Sequence, residues 1–97
     1  MDVIAATIRE WRDLGFHYDR DDVLREWTIS GTRRGINGFS AILRRFAADE
    51  RNDIPFEHDH LGPYGYLKIM NVPGQRGFDS SAIVASRQEF AELADVN

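Results

Sequence analysis

Two stretches of the sequence follow one plan, and together they limit most what the chain can fold into. Ile29-Ser30-Gly31-Thr32-Arg33-Arg34-Gly35-Ile36, with Phe39, parallels Ile83-Val84-Ala85-Ser86-Arg87-Gln88-Glu89-Phe90, with Leu93, without a gap. Each reads as a strand end, a small residue, a hydroxyl side chain suited to capping a helix, an arginine and then apolar positions three apart. The order that satisfies both is α+β: strands and helices as ββα twice, preceded by an N-terminal helix, with the helices packed on one face of an antiparallel sheet. Any strand that enters a capped helix has this form, so duplication and coincidence both stay open.

The remaining elements follow from periodicity. Ile4, Ile8, Trp11 and Leu14 recur at helical spacing and Gly15 offers a stop, so a helix is expected over 3–13 with that apolar stripe. Phe16 and Tyr18 alternate with His17 and Asp19, the segment Asp19 to Asp22 reads as a turn, and Val23, Arg25, Trp27 and Ile29 alternate with their neighbours, which together read as a β-hairpin. Thr32 caps a helix over 33–48 whose inward stripe is Ile36, Phe39, Leu43, Phe46 and Ala47. Gly35 and Gly38 inside that helix each cost about 1 kcal/mol relative to alanine, which a close approach of helix to sheet would explain. Phe56, His58 and His60 share one face of a short strand that Pro55 places at an edge. Leu61-Gly62-Pro63 reads as a turn and Tyr64 to Val72 as the clearest strand, with Tyr64, Tyr66, Lys68 and Met70 alternating against Gly65, Leu67 and Ile69. Pro73 to Gly77 is a loop by composition, 82–85 a final short strand, and Ser86-Arg87-Gln88-Glu89 a capping box that opens a helix over 87–95.

Composition narrows the function. The 97 residues fit a single domain, 1–97, and a chain of that size buries roughly 60 to 65% of its unfolded surface, enough for one core. With no cysteine, disulfides, thiol catalysis and cysteine-ligated zinc are excluded. The apolar runs are too short to cross a membrane, and Asp2, Arg9, Glu10, Arg12 and Asp13 interrupt any signal-peptide core, so the cytoplasm is the expected compartment. A net charge of −4 argues against a general nucleic-acid binder. The glycine-rich run Gly31 to Gly38 lacks the P-loop lysine and the dinucleotide spacing, and no nucleophile elbow, HExxH helix or EF-hand loop is present.

The chemistry gathers in one segment. Asp49, Glu50, Asp53, Glu57 and Asp59 form the densest acidic run, broken only by Arg51, and Asp19, Asp21 and Asp22 form a second group. Such charge is either ordinary solvated loop or a field that steers a basic partner. On a strand, His58 and His60 point to one face and can share a divalent metal, and His17 would complete a three-imidazole set of the kind that binds zinc. Exposed or hydrogen-bonded histidines are the plainer alternative. Glu57 or Asp59 beside a histidine supplies acid-base groups, which need a pocket and a shifted pKa to be of use. The alternation of Phe16, Tyr18 and Trp27 assigns them to the core, while Tyr64 and Tyr66 combine apolar area with a polar tip suited to an interface.

Trp27-Thr28-Ile29-Ser30-Gly31-Thr32 and its helix, then Glu57-His58-Asp59-His60-Leu61-Gly62-Pro63-Tyr64-Gly65-Tyr66-Leu67-Lys68-Ile69-Met70, then Gly77-Phe78-Asp79 and a closing helix, resemble a small family of immunity proteins from bacterial polymorphic toxin systems. The likeness covers about 14–95, and its specific part is the stretch from His58 to Met70. It implies a non-catalytic protein, with no cofactor, that binds and blocks a cognate toxin, its acidic loop complementing a basic active site. The expected contact residues are Asp49, Glu50, Asp53, Glu57, His58, Asp59, His60, Tyr64 and Tyr66, with neither nucleic acid nor membrane as partner. Two other readings stand beside this one. The first is a zinc-binding protein or metal-dependent enzyme built on His17, His58 and His60. The second is a structural or self-associating domain that offers the hairpin from His58 to Tyr66 as an edge.

Overall fold

A computed structural model describes residues 2–62 and 67–96. Helix α1 spans Val3–Leu14. It opens on Asp2, whose carboxylate accepts from the Ile4 amide at 3.0 Å, and closes on Gly15 at φ 84, where the missing Cβ permits a left-handed turn. Of its expected stripe, Trp11 and Leu14 pack against the core, but the first half of the helix turns otherwise. Ile4 and Ile8 are 72% and 47% exposed, while Ala6 and Glu10 are buried. The reason is a buried hydrogen bond: Tyr18 donates to the Glu10 carboxylate, which turns that face inward and carries the isoleucines to the surface.

Strands β1 (Phe16–Asp21) and β2 (Glu26–Gly31) form the expected antiparallel hairpin, with Tyr18 opposite Ile29 and Arg20 opposite Trp27. The turn comes later than the run of aspartates implies. The Asp21 carboxylate accepts from the amides of Val23 and Leu24 at 3.0 and 2.9 Å, and Arg25 adopts a left-handed φ of 54. That side-chain-to-backbone bonding starts the reversal at Asp21, so Val23 and Leu24 lie in the exposed turn instead of a strand. Helix α2, Arg33–Ala48, is capped by Thr32, whose hydroxyl accepts from the Gly35 amide at 3.1 Å. It buries Phe39, Leu43 and Phe46, three apolar positions of its expected stripe, and holds Ile36 and Ala47 half-buried.

A short 3-10 turn, Glu50–Asp53, leads to the second sheet. Its strands are β3 (His58–His60), β4 (Lys68–Met70), β5 (Gly77–Phe78) and β6 (Ala82–Val84), in the spatial order β3-β4-β6-β5. The fold is α+β with an N-terminal helix, as the two capped junctions require, but the hairpin is a sheet of its own and the larger sheet contains one parallel pair, β4 with β6. The extra strand β5 explains this. It arises at the end of the segment read as a loop, reverses the chain at the sheet edge, and β6 then returns between β5 and β4. Helix α3, Arg87–Ala94, begins with the complete capping box, in which Ser86 accepts from the Glu89 amide and Glu89 accepts from the Ser86 amide.

The core joins both sheets to α2 and α3 through Phe16, Tyr18, Leu43, Phe46, Ile69 and Phe90, among others, with the Phe46 and Phe90 rings edge-to-face at 5.0 Å. Half-buried Trp27 bridges the sheets: its Nε1 donates to the carbonyls of Asp79 and Ala82, each at 3.0 Å, and Arg20 donates to the carbonyl of Ser80 at 2.6 Å. The close approach expected at Gly35 is real, but its neighbour is the end of α1. A Cβ on Gly35 would stand 1.7 Å from the Gly15 carbonyl oxygen, whereas one on Gly38 would meet only the Leu14 carbonyl oxygen at 3.9 Å. No helix among the described residues is long and apolar enough to cross a membrane.

Candidate functional site

The acidic run divides into carboxylates that hold the fold and carboxylates that do not. Asp49 caps the 3-10 turn, accepting from the Arg51 amide at 3.0 Å, and lies 3.5 Å from the Arg51 guanidinium. Asp53 pairs with Arg87 at 2.8 Å, and Arg87 also donates to the carbonyl of Ala47 at 2.8 Å, so this ion pair ties the loop to α2 and α3. Glu50, Glu57 and Asp59 have no cationic partner among the described residues.

Between Asp53 and Glu57 the chain is clamped by the backbone and side chain of Asn71, the residue after β4. Asn71 donates from Nδ2 to the carbonyl of Asp53 at 3.0 Å and from its amide to the carbonyl of Glu57 at 3.1 Å, while its own carbonyl accepts from the Phe56 amide at 2.7 Å. The clamped loop projects two apolar side chains, Ile54 at 53% exposure and Phe56 at 63%. Phe56 is held at φ 70, a left-handed conformation that costs a residue with a Cβ roughly 1–2 kcal/mol. Neither residue was among the expected contacts. The alternation of Phe56 with His58 and His60 implied that Phe56 shares their strand, but its left-handed φ takes it out of extended geometry, so β3 begins at His58 and Phe56 lies in the loop. Two apolar residues flanking Pro55 in a polar stretch were the available signal.

On β3 the outward residues are His58 and His60, both exposed, with Asp59 half-buried between them, so the two imidazoles share the outer face of an edge strand as their spacing implies. A ring nitrogen of His58 lies 3.1 Å from the Phe56 carbonyl, which links the strand to the clamped loop. His17 belongs to β1, packs beside Trp11 with ring centroids 5.6 Å apart, and lies 4.0 Å from Asp19. No group of three or more His, Asp or Glu side chains among the described residues is placed to hold a metal ion, so His17, His58 and His60 are not assembled as one ligand set. Tyr64 and Tyr66, expected beside this strand, lie outside the described residues.

The far end of β3 is fixed to the hairpin by buried polar contacts. The Tyr18 hydroxyl lies 2.8 Å from Glu10 Oε2 and 2.8 Å from the carbonyl of Leu61, the residue after His60. Burial first, and then the adjacent Glu10 carboxylate, push the phenol pKa well above its ordinary value, so the ring stays neutral and acts as a latch. Gly62, at φ 79, lies so close to Glu10 that a Cβ would stand 2.0 Å from Oε1.

A second feature is a cleft of about 420 Å³ where β2, α2, β5, β6 and the end of α3 meet. Trp27, Ile29, Ile36, Phe39 and Leu93 form much of its wall, and Arg25 at its mouth lays its guanidinium over the Phe78 ring, 5.4 Å from the centroid. Each wall residue reads in sequence as ordinary core, because a cleft formed by five separated elements leaves no local pattern. Comparison with known protein families, with curated proteins and with solved structures finds no match to this chain.

Proposed function

We propose that this chain is a non-catalytic binding protein that presents the loop and edge strand over 50–60 to a basic protein partner, in the manner of an immunity protein that blocks a cognate toxin. The observation that carries this reading is Phe56, which stands 63% exposed at φ 70 and is held there by Asn71. An aromatic residue kept in a strained conformation and turned to water is unfavourable by itself and becomes favourable when a partner buries it. Glu50, Glu57 and Asp59, without cationic partners among the described residues, supply a field that speeds encounter with a basic surface. Edge strand β3 adds backbone groups on its open side, to which another chain can pair. The toxin assignment rests on the likeness of the stretch from His58 to Met70.

The test is to look for a large protein with a C-terminal toxin domain encoded beside this one and to co-express the two; the lack of such a neighbour would count against the toxin assignment. The expected result is rescue of growth and a purifiable complex, both lost on Phe56→Gly while the free protein keeps its fold. Rescue that survives Phe56→Gly together with loss of all three unpaired carboxylates would move the contact surface elsewhere, and failure of any complex to form would remove the toxin assignment.

A further inference from the structure

We propose that the cleft bounded by β2, α2 and α3 binds a small amphipathic carboxylate, its hydrocarbon body between Trp27, Phe39 and Leu93 and its carboxylate on Arg25. This goes beyond the contact surface at 50–60 and rests on different residues. The volume of about 420 Å³ falls in the range of small-molecule sites, and its walls are mostly apolar. A space of that size and lining accepts a body of roughly eight to twelve carbons.

The charge at the mouth selects the ligand's head group. Arg25 sits in the turn at φ 54, its guanidinium is placed by the Phe78 ring, and it has no carboxylate partner among the described residues. A guanidinium stacked on a ring keeps its N–H edge available, and that planar fork matches a carboxylate. Glu26 also borders the cleft, but on β2 it alternates with Trp27 and Ile29, which form the wall, whereas Arg25 is fixed at the mouth by the Phe78 ring. Arg25 is therefore the group matched to an anionic head. Leu93, 41% exposed, leaves the rim open for entry.

The experiment is an NMR titration of isotope-labelled protein with decanoate, with decylammonium and 1-decanol as probes of charge and of apolar binding alone. Decanoate should bind at one site and shift the resonances of Trp27, Ile29, Phe39 and Leu93, and Arg25→Gln should weaken it about tenfold, the scale of one charge-assisted hydrogen bond. Leu93→Glu, a change at an exposed position, should weaken it at least as much by placing like charge against the chain. Equal affinity for decylammonium or 1-decanol, or for decanoate with Arg25→Gln, would overturn the assignment of the anion. Cleft resonances that move with protein concentration alone, with no response to decanoate, would show that a second copy fills the cleft and would overturn the proposal entirely.

Discussion

The hydroxyl of Tyr18 lies 2.8 Å from Glu10 Oε2 and 2.8 Å from the carbonyl oxygen of Leu61, so one buried phenol joins α1, the hairpin and the end of β3. The phenol has one proton to share between these two acceptors, and Tyr18→Phe removes it. The expected cost is about 1–3 kcal/mol, measured by urea denaturation at neutral pH. A change below a few tenths of a kcal/mol would show that the latch does not hold these elements together.

The same phenol gives a pH dependence with a definite sign. Burial and the Glu10 carboxylate raise its folded pKa above the unfolded value of about 10. Below roughly pH 9 both states keep the proton and this group adds no slope. As pH climbs past about 10 the unfolded chain releases its proton first, so stability falls and continues to fall until the folded phenol ionises too. Urea melts between roughly pH 8 and 11 should therefore show an alkaline loss in wild type that is smaller in Tyr18→Phe. Parallel curves for the two proteins would rule out Tyr18 as the source.

Gly35 and Gly38 lie one turn apart on α2 and should respond oppositely to alanine. At Gly35 the new methyl would sit 1.7 Å from the Gly15 carbonyl oxygen, and backbone on both sides leaves nothing flexible to yield. Gly35→Ala should cost at least about 3 kcal/mol or prevent folding. At Gly38 the space is open, so Gly38→Ala should be neutral or stabilise by up to about 1 kcal/mol through helix propensity. Thermal melts of the two variants decide it, and equal losses would contradict the packing of α1 on α2.

Much of the fold was legible because its signals are local. Thr32 and the Ser86 capping box set helix starts through side chains within three residues, and Leu67 and Ile69, both 0% exposed, took the buried face of their strand from alternation alone. Leu67→Ala should accordingly cost about 2–5 kcal/mol in a denaturant melt, and a near-neutral result would mean that the strand buries its other face. What sequence left hidden depends on distant partners. The rotation of α1 is set by Tyr18 reaching Glu10, and the parallel return of β6 by a two-residue strand too short to show alternation. Within the candidate site, the histidine face and the acidic run were visible, but the ion pair from Asp53 to Arg87, which assigns one of those carboxylates to structure, spans 34 residues. The exposure of Phe56 depends on Asn71, 15 positions further along the chain.

Phe56 separates stability from binding. At φ 70 a side chain is strained and glycine is not, so Phe56→Gly should be more stable than Phe56→Ala by about 1 kcal/mol, the reverse of their order in an ordinary strand or helix. Both variants remove the same exposed ring, so both should weaken a complex alike, chiefly through a faster off-rate, by about 2 kcal/mol or more if the ring is a buried anchor. Neutralising Glu50, Glu57 and Asp59 should instead slow association and flatten its dependence on salt, because exposed charges act on encounter. Asp53 belongs in neither group, since its pairing with Arg87 at 2.8 Å makes its loss partly structural. Urea melts of the two Phe56 variants, followed by surface plasmon resonance against the partner at two salt concentrations, measure all of this. If glycine and alanine prove equally stable, the loop does not hold Phe56 in its left-handed conformation; if they bind as wild type does, the ring is not the anchor.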